Sequence, residues 1–197
     1  MLKKRIQQTA TSMFRRNGLK TVSVDDICYA LGIAKKTFYL LYVNKDDLVR
    51  EFIETSFSNL NSSLQEHVTA EDAVSRLKIF DHHLVEFLRI FYPVLVSDLK
   101  RYHDVSYQIF LDKRANLMAY LAAIIELGKR QGVFRGNLDA SILAELRFGE
   151  LEIIFAKRTE LKVSDWNRSH RELFEHYMAG LISHNNGIQL SGGCDLH

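Results

Sequence analysis

Proline is nearly absent, one residue in 197 (Pro93), and glycine is sparse at ten. So little turn punctuation argues against an all-β fold, whose many reversals need both residues. Cysteine is scarce too: Cys28 and Cys194 stand far apart, with no partner at metal-ligand spacing. That usage fits a reducing cytoplasm. No apolar run approaches the roughly 18 residues needed to span a bilayer, and the basic N-terminus is not followed by a continuous apolar stretch. The chain is therefore expected to be cytoplasmic, with no membrane partner. Catalytic signatures are missing as well. There is no Gly-rich phosphate loop, no Gly-x-Ser-x-Gly elbow and no paired Glu-x-x-His set for a di-iron bundle. His82-His83-x-x-Glu86 invites a metal reading, but adjacent helical histidines diverge by about 100° and no second ligand set follows. Neither an enzyme nor a cofactor or metal site is expected.

What remains is 47 % apolar, enough for a substantial core, with Leu, Ile, Phe, Lys, Glu and Arg in long uninterrupted stretches. The fold class is all-α. Net charge is only +2, but it is unevenly spread. Residues 1–50 carry ten Lys or Arg against four Asp, a balance of +6, which leaves −4 for the other 147. A basic first quarter suits a polyanion, unless its charges are merely solvated, and the local pattern decides between the two.

Ile6, Ala10, Met13 and Phe14 recur at helical spacing and predict an amphipathic helix over 2–16, closed by Asn17-Gly18. In "TVSVDDICYALG" Ser23 and Asp26 form a capping-box-like start for a helix over about 24–31, which ends at Gly32. A third short helix over about 35–42 sends Phe38 to the core and leaves Lys35, Lys36, Thr37 and Tyr39 on other faces. Tyr42 is assigned to packing. Helix, tight glycine turn and a short helix rich in basic and hydroxyl groups is helix-turn-helix grammar. Lysines can donate to guanine edges, and a threonine can offer its hydroxyl or its methyl.

Asn44 caps a fourth helix, with Asp46 and Asp47 in its first turn and an apolar stripe from Leu48 to Val68. Its length can link the reading head mechanically to the rest. Five more helices are expected at about 71–91, 93–101 (Pro93 at its first position), 104–130, 138–157 and 164–183, with Ser164 and Asp165 opening the last. The domains divide as 1–46, 47–184 and a Gly/Ser-rich tail, 185–197, expected to fray.

Residues 6–50 resemble the tetracycline-repressor (TetR) family of bacterial transcription regulators. The resemblance rests on Ile6, Ala10, Phe14, Gly18, Thr21, Val24, Asp26-Ile27, Gly32-Ile33, Lys35, Thr37-Phe38-Tyr39, Lys45 and Leu48. It implies a homodimer whose first three helices bind double-stranded DNA, whose helices five to seven enclose a small-molecule pocket and whose last two helices form a four-helix dimer contact. By the same resemblance Lys35, Lys36, Thr37 and Tyr39 would touch bases and phosphates, while Ser23 and Lys45 would grip phosphates from helix N-termini, where free amides favour an anion. Two positions depart from the pattern. Leu41 stands where the family usually has His or Tyr, and Lys36 replaces a commonly small residue and adds a donor.

Beyond the head, His82, His83, Tyr92, Tyr102, His103 and Tyr107 concentrate aromatic and imidazole groups that could line a ligand pocket, though each is also an ordinary core or surface residue. Ile142, Leu146, Ile153 and Ile154, with Leu173, Tyr177, Leu181 and Ile182, supply apolar stripes for an isologous contact, unless one subunit consumes them. The expected function is a sequence-specific regulator, a ligand-released repressor acting as a homodimer on a palindromic operator. A helical scaffold protein with only non-specific DNA affinity is the alternative.

Overall fold

The computed structural model describes residues 1–66, 72–91, 94–156 and 163–183. Val68, Tyr92, Pro93 and the tail 185–197 with Cys194 lie outside the described residues, as do the side chains of Ser164 and Asp165. The described residues form nine helices and no strand: α1 (Leu2–Asn17), α2 (Val24–Leu31), α3 (Lys35–Tyr39), α4 (Lys45–Glu66), α5 (Ala73–Phe91), α6 (Val94–Tyr102), α7 (Asp104–Arg130), α8 (Ala140–Ala156) and α9 (Val163–Leu181). None is long and apolar enough to cross a membrane.

Local chemistry sets the boundaries. Ile6, Ala10 and Phe14 form the buried stripe of α1, which stops at Gly18 with φ 81°. Ser23 caps α2 in a complete capping box with Asp26, and Gly32 ends it in the left-handed region, φ 63°. The third helix is shorter than its predicted span of 35–42. Leu41 N–H turns back to the Phe38 carbonyl at 2.9 Å, tightening the chain after Tyr39. Asp139 Oδ1 accepts from the N–H groups of Ser141 and Ile142, so α8 starts at Ala140 rather than 138.

α4 packs on α1, α5 and α7, and α7 packs on α5, α6 and α8 as well. The core at their meeting is aromatic. Phe14 meets Phe52 edge-on at 5.6 Å between ring centroids. Phe52 stacks on Phe91 at 5.6 Å, and Phe91 stacks on Phe87 at 4.5 Å. Phe57 touches Phe87, Phe91 and Phe110. Contacts of this kind add about 0.5–1.5 kcal/mol each beyond area burial. The chain of rings ties the first helix to the centre of the body through α4.

Two further devices hold α8 and α9. Arg147, fully buried, donates twice to Asp81 Oδ1 of α5, at 2.9 and 2.7 Å, and His170 of α9 lies 2.9 Å from Asp81 Oδ2. The Arg147 guanidinium also lies over the rings of Phe174 and Tyr177. At the end of α7, Val133 and Phe134 both donate to the Gly128 carbonyl, and the segment after them pairs with the end of α9 through Arg135 N–H to Leu181 O and Ser183 N–H to Val133 O.

Candidate nucleic-acid interface

α2 and α3 present their outer faces beside the first turn of α4. Phe38 and Tyr42 mark the inward side of α3, where their rings stack at 5.3 Å between centroids. Burial pushes the Tyr42 hydroxyl pKa well above the tyrosine range. On the outward side, Lys36 and Tyr39 are exposed and Thr37 is half-buried. Lys35 is exposed too, but it turns toward α2 and pairs with Asp25 at 2.7 Å. Of the two lysines only Lys36 meets no carboxylate among the described residues.

Ser23 spends both of its donors on Asp26: its N–H at 2.8 Å and its hydroxyl at 2.6 Å, both to Oδ2. The hydroxyl also accepts from Asp26 N–H, and these bonds hold the Asp26 carboxyl below its usual pKa. A phosphate at this corner would therefore meet helix-start amides rather than a free hydroxyl. Lys45 is half-buried, and one of its three donors goes to the Leu19 carbonyl at 2.5 Å. Burial depresses the Lys45 pKa, while Asp46, Asp98 and Asp26 pull it back up.

The head is fastened to the body at two places that the sequence pattern did not suggest. Lys20 N–H donates to Asp98 of α6 at 2.8 Å, and the Lys20 ammonium lies over the Tyr102 ring. His103, buried at the junction of α6 and α7, holds Asp46 Oδ1 by Nδ1 at 2.6 Å. Its Nε2 has no hydrogen-bond partner among the described residues. These contacts join residues 57 and 78 positions apart, and no periodicity could have announced them.

The described pocket candidates do not converge. His82 is exposed beside half-buried His83, Tyr102 covers Lys20, His103 faces Asp46, and Tyr107 packs near Phe110. A different place is hollow: a cleft of about 230 Å³ between α4 and α7, floored by Phe57, Leu64 and Leu117 and edged by Asn61, Lys113 and Asn116. Polar residues at helical spacing beside an apolar stripe were its only sequence signal. In α8 and α9 the apolar candidates split into two groups. Ile154, Tyr177, Leu181 and Ile182 are buried within the subunit and Leu173 is half-buried, whereas Ile142, Leu146 and Ile153 are 57, 55 and 61 % exposed.

Residues 6–52, the helices and turns just described, match the family model "Bacterial regulatory proteins, tetR family". The head of the chain is that of a TetR-family transcriptional regulator. Proteins of the TetR family are transcriptional regulators rather than enzymes. Similarity extends past the head. The uncharacterized HTH-type transcriptional regulator YhgD of Bacillus subtilis is 22 % identical over 91 % of this chain and 92 % of its own. The HTH-type transcriptional repressor KstR2 of Mycolicibacterium smegmatis is 23 % identical over 69 % of each. A putative transcriptional regulator from Saccharomonospora viridis, solved in complex with choline, superposes with a TM-score of 0.82 at 20 % identity, covering 92 % of this chain and 98 % of that one. That likeness establishes a common fold.

Proposed function

We propose that this TetR-family regulator is a repressor that acts as a homodimer on a palindromic operator and is released by a small-molecule ligand. The observation that carries the reading is the wiring of the head. Lys36, which meets no carboxylate among the described residues, belongs to the reading helix, while Lys45, Asp46 and Lys20 are bonded to Leu19, His103 and Asp98. A shift of α4 or α6 would therefore move the reading helix. Ligand action through that link needs only a preference for one placement of α4 over the other. The cleft between α4 and α7 is suited to such a ligand, since it touches α4 directly. Choline, held by a relative of the same fold, is a cation. The cleft here carries Lys113 and no carboxylate among its described lining residues, which favours a neutral or anionic small molecule.

DNA contacts are assigned to Lys35, Lys36, Thr37 and Tyr39 on the reading helix, with Ser23 and Lys45 at the phosphates. Two reading helices would occupy major grooves roughly 34–36 Å apart. For the dimer, Ile142, Leu146 and Ile153 are the supported face, because their exposure leaves apolar surface that a second copy would cover. Leu146→Glu is expected to leave a folded monomer: sedimentation should give half the wild-type mass with an unchanged helical spectrum. A variant that keeps the full mass would move the interface elsewhere.

Lys45→Ala is expected to weaken binding to all DNA sequences alike and to lower the salt slope of binding by about one unit, as loss of one phosphate contact does. Anisotropy titrations over a range of salt concentration check this. A loss confined to one sequence would make Lys45 a base reader instead. The whole reading is tested by selecting bound sequences from a random DNA pool. An enriched inverted repeat supports it, and equal weak binding to enriched and scrambled DNA would return the chain to the scaffold alternative.

A further inference from the structure

Beside its lysines the reading helix and the turn after it expose apolar side chains. Backbone bonds from Leu40 N–H to Lys36 O at 3.2 Å and from Tyr42 N–H to Phe38 O at 3.1 Å continue the helical winding past Tyr39. At about 100° per residue, Leu40 lies about 200° round from Phe38, opposite the buried side and one turn above Lys36. It is 75 % exposed. Val43 follows buried Tyr42 and is 80 % exposed, its N–H held by Asp47 at 3.1 Å. Half-exposed Tyr39 lies beside them. A surface meant only for phosphates gains nothing from bare leucine and valine. Leu40 stands one helical turn from Lys36, and Val43 follows it by three residues on the chain leading into α4, so the apolar pair directly follows the proposed DNA face in sequence.

The floor of a major groove offers one apolar group to such side chains, the C5-methyl of thymine. We propose that Leu40 and Val43 are specificity-determining residues of this regulator, which read thymine methyl groups in the operator beside the polar contacts of Lys36. The inference rests on the operator reading above and deepens it by naming what part of the site is recognised. Van der Waals contact with a methyl is short-ranged and needs no donor. The pair would therefore discriminate thymine from cytosine without a hydrogen bond, on either side of Leu41, which departs from the family's His or Tyr.

The test uses the full-length protein and the operator enriched from the random pool, in two forms: with thymine, and with every thymine replaced by uracil, which removes the methyls and keeps base pairing and charge. Wild type is expected to bind the uracil form more weakly, by about fourfold for each methyl contacted. In a Leu40→Ala, Val43→Ala double variant the two forms should bind equally. Both positions are exposed, and an unchanged helical spectrum confirms that the variant is folded. Equal wild-type binding to the two forms overturns the inference while leaving the operator reading intact. A thymine preference that survives in the double variant also overturns it and moves the methyl contact to another residue such as Thr37. If no sequence is enriched at all, the operator reading falls first and takes this inference with it.

Discussion

Replacing Arg147 by methionine is expected to lower the stability of the protein by about 3–5 kcal/mol. Arg147 is buried on α8, and its partner Asp81 is buried on α5. The carboxylate is saturated in a particular way: Oδ1 accepts two guanidinium bonds, at 2.9 and 2.7 Å, and Oδ2 is left to His170 at 2.9 Å. Methionine matches much of the apolar stem and removes both bonds, so the buried Asp81 carboxyl loses its guanidinium partner and, among the described residues, retains the His170 contact. The stacking of the guanidinium over Phe174 and Tyr177 goes as well, loosening α9 from α8. At about 2–4 °C per kcal/mol for a protein of this size, the melting temperature should fall by roughly 6–20 °C. Thermal and urea unfolding followed by circular dichroism measure this. Replacing both partners, Arg147→Met with Asp81→Leu, should recover much of the loss, because no uncompensated charge remains. A single variant as stable as wild type would show that the pair contributes nothing net.

Gly128→Ala is expected to cost about 2–4 kcal/mol, although alanine is the better helix former by about 1 kcal/mol. Gly128 sits within the last turns of α7, and an added Cβ would lie 2.0 Å from Phe134 Cδ2 and 2.4 Å from Cε2. The ring cannot swing clear, since Phe134 is buried among core residues. It would have to carry its backbone along, and that backbone is pinned on both sides: Phe134 N–H to Gly128 O, and the flanking residues to the end of α9. The effect should therefore spread to α9. Urea midpoints at unchanged slope would report it. Phe134→Leu in the Gly128→Ala background should restore part of the stability. Gly180→Ala, where the nearest atom is the tip of Arg135 at 4.0 Å, is the control and should be neutral or slightly stabilising. If Gly128→Ala and Gly180→Ala behave alike, steric exclusion by Phe134 is refuted.

Helices and turns were legible because their code is local. Ile6, Ala10 and Phe14 announce the buried stripe of α1 within nine residues, and Ser23 with Asp26 announces the start of α2 within four. Where the boundaries differ from the periodicity, a local bond sets them, as with Asp139 at the start of α8 and the tightened turn after α3. The reading helix, too, was recognisable from residues 32–45, since glycine turn, cap and outward polar groups are all properties of neighbours. Side-chain assignments fared differently. Lys35 and Lys36 are adjacent and identical in type, yet one is spent on Asp25 and the other meets no carboxylate among the described residues, because about 100° of helical rotation turns only the first toward α2.

The sequence by itself determined the all-helical fold, the basic helix-turn-helix head and its continuation into a long α4, since periodicity and capping act over three or four residues. Tertiary structure decided the rest. It chose which apolar stripe of α8 stays exposed and joined His103 to Asp46 across 57 positions. It also brought Arg147 and His170 to Asp81 across 66 and 89. Helices are stable on many faces, and only packing against their neighbours determines which face is buried and which charge is left free to meet a partner.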